Sequence, residues 1–455
     1  MTMTDTDEAV ASVSATFATA PSFAETVRVF GKIGLLSFGG PAGQIALMHR
    51  VLVDEKRWLD EPRFLHALNY CMLLPGPEAM QLATYAGWLL HGVKGGLAAG
   101  LLFVLPGAAV ITLLSAVYLL VGDVPLVQGL LFGLKAAVLA VVLEALIKVS
   151  KRALKNAFMV ALAIAAFIAI AFLKLPFPLI IAAAAACGAL LHFLGYGAKS
   201  GDGAAVAEPA RDMPEWTKPS ARRFASTLAV WLVIWFGPLF VLHATLGGGN
   251  VFAAEATFFS KMAAVTFGGA YAVLAYVAQQ AVEVHGWLKP DEMLTGLGLA
   301  ETTPGPLILV LVFVGFLGGA RLSGLAPIAG GLAGAAVTLW FTFVPCFLWI
   351  FVGAPYVETV RNVRWLASAL SAVTAAVVGI IANLAVWFAL HVLFASVGER
   401  VLGPLSLPVP DWPSFDAASA LIAIAASFAL IRYNANMIVV LAAAALAGMA
   451  VQLIR

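Results

Sequence analysis

Phe38-Gly39-Gly40-Pro41, Trp58-Leu59 and Pro75-Gly76-Pro77 follow one another through apolar sequence. Phe267-Gly268-Gly269, Trp287-Leu288 and Pro304-Gly305-Pro306 follow in the same order 229 residues further on (from 38 to 267, from 75 to 304). The same offset pairs Phe23 with Phe252, Phe30 with Phe259, Lys32 with Lys261, Leu65 with Leu294 and Leu68 with Leu297. Apolar helices often match by chance, but Gly-Gly, Trp and Pro-Gly-Pro held in one register do not. The chain reads as a duplication.

The surroundings of these motifs set the fold class. Of 455 residues, 62% are hydrophobic and 11% charged, with mean hydropathy +0.98. A soluble chain carries about 25% charged residues, so this one cannot cover itself in water, and a water-soluble enzyme is excluded. Counted in spans of about 20 apolar residues, the chain supplies about thirteen segments. They lie near 23–48, 62–92, 96–121, 125–147, 156–174, 176–196, 224–246, 252–283, 292–320, 324–352, 365–396, 412–432 and 435–454. An all-α polytopic membrane protein is expected, with two repeats of six segments joined by one extra helix and with helices broken at Phe-Gly-Gly and Pro-Gly-Pro. Its organisation reads as a disordered tail (1–21), a first repeat (22–196), a linker with connecting helix (197–251) and a second repeat (252–455). Ser22 and Glu25 have the spacing of a helix-starting capping box.

Six segments plus one precede the second copy. That number is odd, so the copies enter the membrane from opposite faces, a recurring transporter plan with its site between the repeats. Lys148, Lys151, Arg152 and Lys155 share one loop face with the basic linker, which makes that face and the N-terminus cytoplasmic and the C-terminus external. Arg50, Lys56, Arg57 and Arg63 would fall outside if segments 23–48 and 62–92 each crossed. Re-entrant hairpins at those segments bring them back inside, and the charge count favours that alternative.

Broken backbone at membrane depth is tolerated only where protein or water satisfies it, and converging helix N-termini make an anion site. The candidate binding residues are therefore Phe38, Gly39, Gly40, Pro75, Gly76 and Pro77, with Phe267, Gly268, Gly269, Pro304, Gly305 and Pro306. Lys32 and Lys261 each lie about 15 Å along a helix, where a cation is expensive and functional. Gln44 is a further donor. Glu78 and Glu301, flanking the two Pro-Gly-Pro turns, are candidate proton-coupling carboxylates, and Glu78 is equally a helix-capping group. Asp54-Glu55, Asp60-Glu61 and Asp291-Glu292 read as solvated loop faces and so offer no paired acids for an intramembrane enzyme acting on lipid phosphates. Cys71, Cys187 and Cys346 are too scattered for a metal site or disulfides. No cofactor motif and no P-loop is present. The net charge of +2, without a basic run, gives no nucleic-acid partner.

In order and spacing, these motifs resemble the two-domain form of the bacterial chromate ion transporter family, over most of residues 23–454. The second copy departs at Ala270 in place of Pro41 and Leu307 in place of Glu78. The resemblance implies about thirteen helices, two homologous halves of opposite orientation, and efflux of chromate across the inner membrane that gives chromate resistance. Its alternative is a carrier of sulfate or another tetrahedral oxyanion, importing or exporting. Partners on this reading are the oxyanion and membrane lipid, and a homo-oligomer is compatible with it.

Overall fold

The computed structural model describes residues 21–38, 40–194, 215–267, 270–357, 363–403 and 405–454. Within them are sixteen α-helices and one β-hairpin. The chain is an all-α polytopic membrane protein.

The first helix, α1 (Phe23–Leu36), starts where the sequence signals it. Ser22 Oγ accepts from the backbone N–H of Glu25 at 3.2 Å. The Glu25 side chain does not complete the box and instead meets Lys56 Nζ at 2.8 Å. That contact joins the start of α1 to the end of α2 (Gly40–His49), which runs on as a wider π turn through Arg50–Glu55. The two arms therefore fold back on each other around Ser37-Phe38. At 1.5 Å per residue α1 is about 21 Å long, short of a ~30 Å hydrocarbon core.

A second hairpin follows. Helix α3 (Glu61–Cys71) leads to the Pro75-Gly76-Pro77 turn, and α4 (Glu78–Val121) leads back. The sequence places a boundary near residue 92 and, within the segment 62–92, a break at Pro75-Gly76-Pro77. The structure places the break at 72–77 and lets α4 run on through a kink. At the kink Gly92 has φ 61° and ψ −150°, a conformation open to glycine. Trp216 lies against Gly92 and donates to the Trp88 carbonyl at 3.1 Å. His91 Nε2 stands 3.0 Å from Thr26 Oγ1, so the base of the second hairpin meets that of the first.

Helices α5 (Pro125–Ala153), α6 (Ala157–Ala171), α7 (Phe177–Phe193) and α8 (Ala221–Leu246) carry the chain to the second copy. There α9 (Val251–Val265), α10 (Ala270–Gln279) with a π turn over Gln280–Val284, α11 (Pro290–Glu301) and α12 (Val310–Leu322) repeat the opening hairpins, π turn included. Their bounds follow those of the first copy at the 229-residue offset to within three residues, until α12 ends where α4 only kinks. Helices α13 (Pro327–Gly353), α14 (Arg364–Leu393), α15 (Ala417–Tyr433) and α16 (Met437–Ile454) complete the chain. Among the described residues α4, α5, α8, α13, α14 and α16 are long and apolar enough to cross a membrane.

One departure from the all-helical expectation is the hairpin β1 (Val397–Leu402) and β2 (Leu405–Pro410). Its Ser406 N–H donates to the Phe172 carbonyl at 3.0 Å, and Glu399 pairs with Lys174 at 3.5 Å. The Ser406 hydroxyl, and after it the Lys174 ammonium, hold the Glu399 carboxyl below the usual carboxylate range. This hairpin, Lys174, Glu283 and His391 line a cleft of about 240 Å³.

Candidate functional site: four interrupted helices that meet

The two Pro-Gly-Pro turns and the two Ser/Thr-Phe turns cross over. Gly76 N–H donates to the Thr266 carbonyl at 2.8 Å, and Gly305 N–H donates to the Ser37 carbonyl at 2.8 Å. At the 229-residue offset, Gly76 corresponds to Gly305 and Ser37 to Thr266, so each copy's glycine binds the other copy's break. Both hydroxyls also repeat: Ser37 Oγ donates to Ile33 O and Thr266 Oγ1 to Met262 O, each at 2.6 Å. Carbonyls at the C-terminal ends of α1 and α9, which a broken helix leaves open, are thereby answered.

The glycines are required here. Gly76 (φ +123°) and Gly305 (φ +89°) occupy backbone conformations that an L side chain resists. A Cβ on Gly76 would stand 2.8 Å from Cys346 Sγ, and one on Gly305 3.0 Å from a Leu309 methyl. The flanking prolines Pro75, Pro77, Pro304 and Pro306 are buried with them.

Gln44 joins this knot from α2. Its Nε2 donates to Gly305 O at 2.6 Å and lies 3.3 Å from Ser37 O, while its Oε1 is buried without a partner. Gln81, one turn into α4, donates to Pro75 O at 2.8 Å and likewise leaves its Oε1 bare. Return arms α2, α4, α10 and α12 all run outward from the knot, so four helix N-terminal ends face it. The ends after Pro77 and Pro306 have no side-chain cap.

The remaining sequence candidates fall elsewhere. Gly39, Gly268 and Gly269 lie outside the described residues. Phe38 and Phe267 are half-buried at the turns, and Gly40 begins α2 with φ +73°. Lys32 is exposed, on the face of α1 that also carries Arg28, Leu35 and Leu36. Lys261 is exposed on the otherwise buried α9. Neither lysine takes part in the hydrogen bonds of the knot; Lys32 is six residues, about 9 Å along the helix, from Phe38. Glu78 opens α4, half-buried, and Glu301 is buried with the Tyr271 hydroxyl donating to it at 2.5 Å.

One reading needs correction. Of the pair Asp291-Glu292, read as a solvated face, Asp291 is exposed but Glu292 is not. Glu292 is buried and takes a two-pronged bond from Arg321 at 2.6 and 2.7 Å, with Lys289 N–H and the Tyr118 hydroxyl completing its partners. This clamp ties the start of α11 to the end of α12. Sequence reading missed it because 29 residues separate the partners. It also passed over Ser37 and Thr266, although they too are paired at the 229-residue offset, and Glu255, a carboxylate in the apolar segment 252–283.

Hairpins broken in mid-helix, with backbone satisfied across a duplicated core, define a membrane transporter. The chromate transporter family model matches residues 24–189 and 254–449, and the chain belongs to that family. It is 30% identical over 429 residues to a chromate transport protein of Pseudomonas aeruginosa, covering 94% of this chain and 92% of that one. A probable chromate transport protein of Synechococcus elongatus is 28% identical over 362 residues, covering 80% and 83%. A chromate transport protein of Cupriavidus metallidurans is 26% identical over 385 residues, covering 80% and 82%. No solved structure matches. With its family and its membrane-spanning helices, the chain is a multi-pass protein of the bacterial inner membrane.

Proposed function

We propose that this chain is a secondary active exporter of chromate that confers chromate resistance, built as two inverted repeats (22–196 and 252–455) with the oxyanion held among the four interrupted termini. The observation that carries this reading is the reciprocal bonding of Gly76 to Thr266 and of Gly305 to Ser37. Inversion is supported by the path between the hairpin pairs. From His91 the chain runs along the long arm of α4, then α5 and α6, before reaching Lys174, an odd number of traverses. Lys174 shares its cleft with Glu283, at the base of the second copy's first hairpin.

Chemistry favours an anion. The carbonyl ends of α1 and α9 are neutralised by the crossing bonds, whereas the facing N-terminal ends keep their partial positive charge, about half a unit each. Glu78 offsets one of them, and Leu307 leaves its counterpart free. Lys32 and Lys261, on the outward sides of the two hairpins, supply full charges on the approach. Direction follows from energetics. One charge crossing the membrane is worth about 2.3 kcal/mol per 100 mV, so a dianion leaving an inside-negative cell gains about 4.6 kcal/mol from the potential alone.

Everted membrane vesicles test the reading. An inside-positive potential is expected to drive chromate into them, and Lys32→Ala or Lys261→Ala to abolish uptake at unchanged protein level. If both variants accumulate chromate normally, the lysines are not part of the site. Full suppression of uptake by equimolar sulfate would favour the sulfate carrier instead.

A further inference from the structure

Glu255 has no role in the knot, yet its placement is the least expected in the molecule. It lies on α9, five residues past the Asn250 cap and so about 7 Å into the helix. Its side chain is fully buried, and neither carboxylate oxygen has a hydrogen-bond partner. The carboxyl fills a slot between α12 and α13 that only glycines leave open. A Cβ on Gly318 would stand 2.8 Å from Oε1, and one on Gly334 3.3 Å from Oε2. Trp287 closes the slot, 3.1 Å from the same Gly318 Cβ position.

We propose that Glu255 is the proton-carrying group of the transport cycle. This inference rests on the export reading above and adds its coupling ion. An ionised carboxylate sealed from water with no donor is prohibitively costly, so this conformation holds the acid as Glu–COOH. A metal cation is a poor alternative, because it would need several oxygen ligands and the slot offers one carboxyl. The nearby Thr338 hydroxyl already donates to Gly334 O.

The ionisable groups on the surrounding elements leave Glu255 alone. His243 of α8 is bonded to Thr257, Arg321 of α12 to Glu292, and Cys346 of α13 to Thr342 O. Lys261 on α9 itself, Tyr276 and Glu283 on the arm of α10, and His285 stacked on Trp287 form no hydrogen bond to it. Losing the proton therefore requires α9 to separate from α12 and α13 and admit water. With the basic linker read as cytoplasmic and α8 crossing once from it, the Asn250 end of α9 falls on the external face, so the proton enters there, and its release inside is tied to the opposite conformation. Net movement is one proton inward against one chromate outward.

The test uses the full chain in proteoliposomes with pyranine inside and the potential clamped at zero. A pH unit and a tenfold concentration ratio are the same free energy, so the wild type is expected to accumulate chromate about tenfold per pH unit and to move protons in the opposite direction. Glu255→Gln is expected to abolish both responses while potential-driven chromate movement survives. Glu255→Thr, the residue the first copy carries at Thr26, serves if the Gln variant fails to assemble. A variant that still accumulates chromate with the pH gradient, or a wild type indifferent to it, overturns the proposal. If the wild type moves no chromate, the export reading fails separately, and infrared spectroscopy judges the carboxyl. A protonated-acid C=O band lost in Glu255→Gln sustains the buried acid, and its absence overturns it.

Discussion

The two copies share a skeleton and divide the chemistry. Both open with a short helix, a Ser/Thr-Phe turn, a return helix ending in a π turn, and a Pro-Gly-Pro turn. At the level of the turns the first copy is polar, with Gln44, Glu78 and Gln81, where the second has Val273, Leu307 and Val310. At the hairpin bases the buried charge lies in the second copy. The first copy closes on the Thr26–His91 bond and the half-exposed Glu25–Lys56 pair, and the second on the Glu292–Arg321 clamp, in which Glu292 is buried, with Glu255 buried in the same copy. Packing differs too. Leu35 and Leu36 are 60% and 51% exposed near the tip of α1, whereas α9 is covered on almost every side by its neighbours. Duplication kept the backbone crossing, which needs both copies, and released the side chains around it to specialise.

Breaking the crossing should have the largest effect and act alike on both sides. Gly76→Ala and Gly305→Ala each add a left-handed penalty of about 1–2 kcal/mol and overpacking of about 1–3 kcal/mol. Near-complete loss of folded protein on size-exclusion chromatography is expected for either. A variant that folds and transports normally would show that the copies do not depend on each other at this point.

The bases should respond unequally. Arg321→Gln leaves Glu292 buried without its cation and is expected to cost about 3 kcal/mol. Thr26→Val in the first copy is expected to cost about 1 kcal/mol. Thermal unfolding of the detergent-solubilised protein reads both, and equal shifts would refute the asymmetry.

A cost of about 1–3 kcal/mol is expected from Gln44→Leu, which leaves the Gly305 carbonyl without its donor. Chromate flux should fall more than stability does, because the knot loses its only side-chain tie between copies among the described residues. Val273→Leu, the matching change in the second copy, should leave flux unaltered.

Much of the fold was legible in the chain. Glycine and proline inside apolar segments announce broken helices whatever their neighbours, since the constraint is local to the backbone. Charge counting over Arg50, Lys56, Arg57 and Arg63 favoured hairpins, and the Glu25–Lys56 contact joins their ends. The path of α4 was not legible, because His91-Gly92 looks like a boundary until Trp216 packs on it. The Glu292–Arg321 pairing was equally hidden.

From the residues alone came the membrane class, the duplication and the positions of the four interruptions, because hydropathy and the conformational limits of glycine and proline act within a few residues. Folding alone decided which interruption answers which, that Ser37 and Thr266 rather than the lysines complete the crossing, and that Glu255 is sealed between glycines. Those are matters of distance between segments about two hundred residues apart or more, or of packing among several helices, and no local pattern encodes them.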